Sequence, residues 1–221
     1  MKCVVTAGPT FEPLDEVRRL INFSTGRLGT ELANYLVSCG HHVSLLRGHQ
    51  ATWRGECLAQ EVLEFTTTAD LTAQLEALGA RGADAVLHAA AVSDFKFGTI
   101  WRRLADGKLE PVQSGKISSR SGPLLAELIA TPKIIGQLRV WFPRACIVGW
   151  KYEVEGGRAE AIAEAERQIT ASRTDACVAN GPAYGSGFGL VTGLKKCSHL
   201  DDAAQLYGAL EKFLSQHSPG P

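Results

Sequence analysis

The stretch Lys2-Cys3-Val4-Val5-Thr6-Ala7-Gly8-Pro9-Thr10 opens the chain and decides its fold. Six residues rich in β-branched side chains, without polar alternation, read as a strand buried on both faces, and Gly8-Pro9 ends it in a turn. A dinucleotide fold would place its Gly-x-Gly-x-x-Gly fingerprint directly after such a strand. Here a polar excursion comes first. Ser24-Thr25-Gly26-Arg27-Leu28-Gly29 then opens a helix whose apolar face is Leu28, Leu32, Ala33, Leu36 and Val37, closing near Cys39-Gly40.

Strand and helix patterns alternate beyond this unit. Strands are expected at His42 to Leu46, Glu61 to Phe65, Asp84 to Ala91, Ala145 to Gly149 and Asp175 to Asn180. Helices are expected at Leu71 to Leu78, capped by Asp70, from Pro132 to about Val140, over Gly157 to Ala171, and over Ala203 to Leu214, capped by Asp201. Gly185 to Lys195 reads as a hairpin or edge strand, and Leu124 to Ile129 fits either strand or helix. The alternation predicts an α/β fold: a Rossmann-like, mostly parallel sheet with helices on both faces. One domain over residues 1–221 is expected, with a flexible flap at about 95–122 and a frayed tail at 215–221.

Lys+Arg and Asp+Glu are equal at 23, so the formal net charge of zero gives no general grip on nucleic acid or an anionic membrane, and neither is expected as a partner. None of the six cysteines forms a Cys-x-x-Cys pair, which argues against a zinc site or redox dithiol. Without a signal-peptide pattern or a membrane-length apolar run, a cytoplasmic setting is the expectation.

Ligands of open parallel sheets bind beyond the carboxyl ends of the strands. Three such segments carry unusual residues: Gly8 to Gly29, Ala89 to Asp94 and Val178 to Gly189. Ser24, Thr25 and the glycines Gly26 and Gly29 suit an anion at a helix N-terminus, or Ser24 or Thr25 simply caps the helix. Arg18 can fix an anionic ligand or be a solvated loop charge, while Asn22 offers both a donor and an acceptor. Asp94 can cap a turn, accept from a ribose hydroxyl or base amine, or approach a metal. Lys116 taken alone is an exposed lysine, and His88 reads as a satisfied core histidine.

Gly8-Pro9-Thr10-Phe11-Glu12-Pro13-Leu14-Asp15, Val17-Arg18 and Asn22 to Gly29 together closely resemble the opening of phosphopantothenoylcysteine synthetase, of coenzyme A biosynthesis. Ala89 to Phe95 is similar to that family's second signature. Gly115-Lys116-Ile117 resembles its flap, and Thr131-Pro132-Lys133-Ile134-Ile135, Val148-Gly149-Trp150, Ala179-Asn180 and Gly187-Phe188-Gly189 continue the likeness in order. The resemblance implies a ligase that activates the carboxylate of 4′-phosphopantothenate with a nucleoside triphosphate, CTP or ATP. Pyrophosphate leaves and cysteine is joined to the acyl group, with Mg²⁺ assisting. It implies Asn22 and Lys116 as catalytic residues, and Arg18 and Ala90 as substrate contacts. Nucleotide contacts would come from Gly8, Ser24, Thr25, Gly26, Gly29, Asp94, Lys116, Pro132, Lys133, Ile134, Ile135 and Trp150. The metal ligands stay unknown, and a homodimer is implied.

The chain departs from the family on the nucleotide side. The flap usually reads Lys-Ile-Lys-Lys, but here Ser118-Ser119-Arg120 follow Ile117, and two lysines expected on a later helix fall at Gln168 and Ser172. Arg167 and Arg173 are adjacent, but one residue turns a helix by about 100°, which does not ensure a substitute. These changes leave CTP against ATP open and keep alive a non-catalytic nucleotide-binding regulator. An NAD(P)-dependent Rossmann reductase is a further alternative, opposed by the displaced glycines.

Overall fold

The computed structural model describes residues 1–217. Its centre is an eight-stranded sheet built from β1 (Lys2–Ala7), β4 (His42–Gly48), β5 (Glu61–Phe65), β6 (Ala85–His88), β10 (Cys146–Tyr152), β11 (Ala176–Asn180), β12 (Phe188–Gly193) and β13 (Lys196–Leu200). The order across the sheet is β13-β12-β11-β10-β6-β1-β4-β5. The six strands from β11 to β5 pair in parallel, and β12 and β13 close one edge as an antiparallel hairpin. The expected α/β, mostly parallel architecture is what forms.

Helices cover both faces because alternate strand residues are apolar on both. Cys3, Val5 and Ala7 of β1 pack under α1 (Arg27–Ser38) and α5 (Ala203–His217). Val4, Leu46, Val86 and Ile147 pack on the other face under α2 (Thr68–Arg81) and the short α3 (Leu138–Trp141). Also on that side, α4 (Arg158–Ser172) sits on Cys177, Ala179 and Val191. Leu71, Leu75 and Leu78 of α2 are all buried, each worth about 1.5–3 kcal/mol of transfer free energy.

Several boundaries correct the sequence reading. Thr67, not Asp70, is the N-cap of α2; its side chain accepts from the Asp70 N–H, while the Asp70 carboxylate accepts from the N–H and hydroxyl of Thr66. Asp202 rather than Asp201 caps α5, accepting from the Gln205 N–H at 2.8 Å. The helix expected from Pro132 is a 3₁₀ turn at Ile134–Gly136 followed by four residues of α3. Residues 215–217, expected to fray, continue α5, and the rest of that expected tail lies outside the described residues.

The stretch 95–122, expected to be an irregular flap, is partly regular. β7 (Phe95–Arg103) pairs antiparallel with β8 (Leu109–Pro111) and with β9 (Leu124–Ala130), forming a separate three-stranded sheet. The polar excursion after β1 likewise holds a two-stranded ribbon, β2 (Phe11–Pro13) with β3 (Arg19–Ile21).

Candidate active site

The chain leaves β1 toward β4 and β5 on one side, and leaves β6 toward β10 and β11 on the other. The carboxyl ends of β1 and β6 therefore flank the switch point, where an open α/β sheet has its ligand crevice. Local hydrogen bonds build its floor. The Thr10 N–H donates to the Ala91 carbonyl (3.1 Å) and the Ala91 N–H to the Gly8 carbonyl (2.9 Å). The Ala90 N–H donates to the Thr6 hydroxyl (3.0 Å) and the Ser93 N–H to the Thr10 hydroxyl (2.8 Å). The segments Gly8 to Thr10 and Ala89 to Asp94 are thus one structural unit.

Glycines let α1 reach this unit. Gly26 has φ 77°, and a Cβ there would lie 2.9 Å from the Cβ of Ala51. A Cβ on Gly29 would lie 2.7 Å from the Ala7 Cβ and 2.9 Å from the Thr6 carbonyl oxygen, so any other residue would push the first turn of α1 off the end of β1. Gly26 itself is the N-cap. No side chain caps the helix in the usual way, and no acidic residue occupies the first turn. Ser24 is not a cap; the Thr25 hydroxyl accepts a long bond from the Arg27 N–H, at 3.3 Å, and the Thr25 carbonyl accepts from the Trp53 N–H, at 3.0 Å. An open N-terminus with its dipole intact is a natural anion site.

Asn22 stands beside it. Its side-chain amide donates to the Ala91 carbonyl at 3.3 Å, which joins the excursion to the segment after β6 and brings Asn22, Ala90 and Gly8 to one place. Arg18 does not stand free. Its Nη1 donates to the Asp15 carboxylate at 2.6 Å and to the Ile117 carbonyl at 3.1 Å. Burial of Asp15 opposes its charge. The N–H groups of Val17, Ile117 and Arg18, followed by the Arg18 guanidinium, outweigh that and hold the carboxyl below its ordinary range. Lys116 is exposed, one residue before the buried Ile117.

On the far side of the crevice Lys133 pairs with Asp94, both exposed. The Thr131 N–H donates to the Asp94 carbonyl (2.9 Å), which holds the two segments together. Pro132 is exposed, and Ile135 packs partly buried against the core. Ile134 is only 3% exposed as a whole residue, and its side chain belongs to the core under α2 and α3. Trp150, near the end of β10, is half-buried, and its indole N–H is sealed from solvent with no partner among the described residues. The side-chain oxygen of Asn180, at the end of the adjoining β11, is in the same state.

The departures turn inward. The Gln168 amide lies over Gly149 and donates to the Cys177 sulfur at 3.2 Å, and Ser172 is buried. Arg167 pairs with Glu164, and Arg173 forms the left-handed C-cap of α4, so neither stands in for a lysine on the inner face. His88 is a core residue, as read from sequence: its Nδ1 lies 2.9 Å from the Thr6 hydroxyl, and burial pushes its pKa down to about 4. Sequence reasoning gave no role to Thr6, Thr10 or Asp15. The two threonines are hidden within apolar or turn contexts, whereas Asp15 lay in view inside the first signature.

Among the described residues, no three His, Cys, Asp or Glu side chains gather closely enough to hold a metal ion, and no helix is long and apolar enough to cross a membrane.

Comparison with known proteins agrees with this architecture. The chain is 30% identical over 223 residues to the coenzyme A biosynthesis bifunctional protein CoaBC of Thermococcus kodakarensis, covering 96% of this chain and 51% of the relative. It is also 30% identical to the phosphopantothenate–cysteine ligase of Homo sapiens, covering 69% of this chain and 63% of the relative. The chain thus spans about half to two thirds of the length of these curated relatives. The crystal structure of a DNA/pantothenate metabolism flavoprotein from Streptococcus pneumoniae superposes with a TM-score of 0.82 at 25% identity, covering 98% of this chain and 100% of that one. The profile of the DNA/pantothenate metabolism flavoprotein C-terminal domain matches residues 1–205, and the chain belongs to that family.

Proposed function

We propose that this chain is a phosphopantothenate–cysteine ligase. In this reading a carboxylate oxygen of 4′-phosphopantothenate attacks the α-phosphorus of a nucleoside triphosphate and pyrophosphate leaves. The cysteine amine then attacks the acyl carbon of the mixed anhydride, forming the amide and releasing the nucleoside monophosphate. The observation that carries the reading is the uncapped N-terminus of α1, held by Gly26 and Gly29 against the end of β1, with the Asn22 amide beside it. Such a site sets fixed N–H dipoles and an amide within one crevice, suited to phosphate and a developing acyl oxyanion.

In this reading Asn22 donates to the acyl group, Arg18 holds the pantothenate moiety through its remaining N–H groups, and Ala90 lines the substrate. Gly8, Ser24, Thr25, Gly26 and Gly29 face the phosphates together with Lys116. Asp94, Lys133, Pro132, the backbone of Ile134, Ile135 and Trp150 surround the nucleoside. Magnesium, when bound, offsets the charge of the triphosphate. An ion held mainly by phosphates and water needs no carboxylate cluster of the protein. Pairing with a second copy is supported by exposed apolar side chains on the ribbon (Leu20, Ile21), just after it (Phe23) and on the β7–β9 sheet (Phe95, Leu128, Ile129). Sedimentation tests that pairing.

The inward-turned Gln168 and Ser172 favour a second reading, a regulator that binds nucleotide without turnover. One assay separates them. Purified protein is incubated with 4′-phosphopantothenate, cysteine, Mg²⁺ and either CTP or ATP, and pyrophosphate is measured. Release dependent on phosphopantothenate is expected with one nucleotide. No release with either nucleotide, together with binding seen by calorimetric titration, supports the regulator, and oxidation of separately added NAD(P)H would revive the reductase. Asn22→Asp replaces the amide donor with a carboxylate and is expected to slow amide formation greatly while the fold persists. Unchanged turnover removes Asn22 from the mechanism.

A further inference from the structure

Asp15 carries more hydrogen bonds than its own turn requires. Its Oδ1 accepts from the N–H groups of Val17 (2.9 Å) and Arg18 (2.8 Å), which completes an Asx-type turn. A turn-forming aspartate would leave the second oxygen in water. Here the side chain is only 1% exposed, and Oδ2 accepts from the Ile117 N–H (3.1 Å) and from Arg18 Nη1 (2.6 Å). Arg18 Nη1 also donates to the Ile117 carbonyl. The single peptide residue Ile117 is therefore gripped at both its N–H and its C=O by one ion pair, 99 to 102 positions away in sequence. The Glu16 N–H adds a bond to the Gly115 carbonyl at 2.9 Å, and the Ile117 side chain is itself buried at 3% exposure. Lys116 lies between the two pinned residues with its side chain exposed.

The geometry points to Asp15 as a positioning residue that sets where Lys116 stands, by clamping the Ile117 peptide to the loop that carries Arg18. The part of this inference that concerns turnover rests on the ligase reading. The clamp does not. A charged acceptor buried against two loops joins them only while all its donors are in place, because a carboxylate without partners is strongly disfavoured away from water. Releasing the clamp frees Gly115 to Ile117 together, and the same event loosens Arg18. The residues assigned to the acyl group and to the phosphates are thereby ordered by one carboxylate.

Asp15→Asn tests this selectively. An asparagine oxygen can keep the turn bonds to Val17 and Arg18, but its NH₂ then faces two donors, the Ile117 N–H and the Arg18 guanidinium. Limited trypsin digestion is expected to cut after Lys116 and Arg120 about tenfold faster or more in the variant, in line with loss of a charge-assisted bond. Cleavage after Arg81 on α2 and the unfolding midpoint should stay close to those of the parent. Asp15→Glu should restore part of the protection. In the ligase assay Asp15→Asn should lower kcat. Flap cleavage unchanged in Asp15→Asn, or accelerated equally at Arg81, overturns the proposal. If the variant does not fold, hydrogen exchange of the parent decides: the Ile117 amide should be protected, and exchange at the rate of a free peptide overturns the clamp. Absence of pyrophosphate release from the parent would sink the ligase reading while leaving the digestion and exchange results to judge the clamp.

Discussion

Lowering the pH should weaken this fold through His88, and the size of the effect follows from its surroundings. The Ala90 N–H occupies one lone pair of the Thr6 hydroxyl, so the single Thr6 hydroxyl proton is free to point at His88 Nδ1, 2.9 Å away. Nδ1 is then an acceptor, and the neutral ring carries its proton on Nε2. Burial pushes the folded pKa from 6.5 down to about 4. Between those values the unfolded chain binds the proton and the folded chain does not. The stability gained by keeping the ring neutral is therefore present in full above pH ~6.5 and is lost as the pH falls toward ~4. A displacement of this size corresponds to about 3 kcal/mol at roughly 1.4 kcal/mol per unit. Urea unfolding of the parent and of His88→Gln, followed by tryptophan fluorescence from pH 7 to pH 4, isolates the contribution, because acidic groups such as Asp15 and Asp70 titrate alike in both proteins. The stability gap between them should shrink by about 3 kcal/mol across that range. Parallel profiles between pH 6.5 and 4.5 would refute the buried neutral imidazole.

Gly29→Ala places a Cβ 2.7 Å from Ala7 and 2.9 Å from the Thr6 carbonyl oxygen. A loss of roughly 1–3 kcal/mol in chemical denaturation is expected, and an unchanged midpoint would show that α1 is not pressed on β1 as described. Cys3, Cys146 and Cys177 have thiols pushed up to about 12, chiefly by burial, while Cys39 is exposed. Alkylation of the native protein at pH 8 should mark Cys39 first and spare those three until denaturant is added, and early labelling of Cys177 would contradict its placement. Arg139 donates to the carbonyls of Arg173 and Ala145 and to the Asp175 carboxylate. Arg139→Met should cost roughly 1–2 kcal/mol in thermal or urea unfolding, the figure being reduced for partial exposure of the pair, and no loss would make the bracket incidental.

The parallel sheet was legible because its strands are short, apolar and buried on both faces. Lys2–Ala7 and Glu61–Phe65 end where the sequence reading puts them. β9 was ambiguous for a physical reason: Leu-Leu-Ala-Glu-Leu-Ile-Ala is composed largely of helix formers, and only pairing with β7 makes it a strand. β7 is interrupted by Gly98 and has a register shift between Phe97 and Ile100, so its alternation is broken where the sequence would show it. The strands β2 and β3 have three residues each and take their order from each other and from β7, which no local pattern encodes. At the site, the glycines and Asn22 were readable from position after a strand. The partners of Arg18 and the burial of Ile134 were not, because both depend on segments distant in the chain.

The nucleotide side raises a question that the inward-turned Gln168 sharpens. A lysine ammonium could not end against the Cys177 sulfur and Gly149 without losing its water, so the glutamine amide is suited to that position as a packing group. If a triphosphate binds here, its charge must be met elsewhere, by the open end of α1, by Lys116 and by Lys133. Lys133 is the cation whose present partner is a candidate nucleotide contact, Asp94, and both are solvent-exposed. Exchange of that partner for a phosphate or ribose oxygen would therefore require little desolvation. Lys133→Met should weaken nucleotide binding about tenfold, the equivalent of roughly 1.4 kcal/mol for one screened charge contact, and should flatten the dependence of binding on salt. Calorimetric titration with CTP and with ATP reads this without turnover. Affinity and salt dependence equal to those of the parent would mean that Lys133 only neutralises Asp94, and that the charge lost at Gln168 and Ser172 has no substitute on this wall of the crevice.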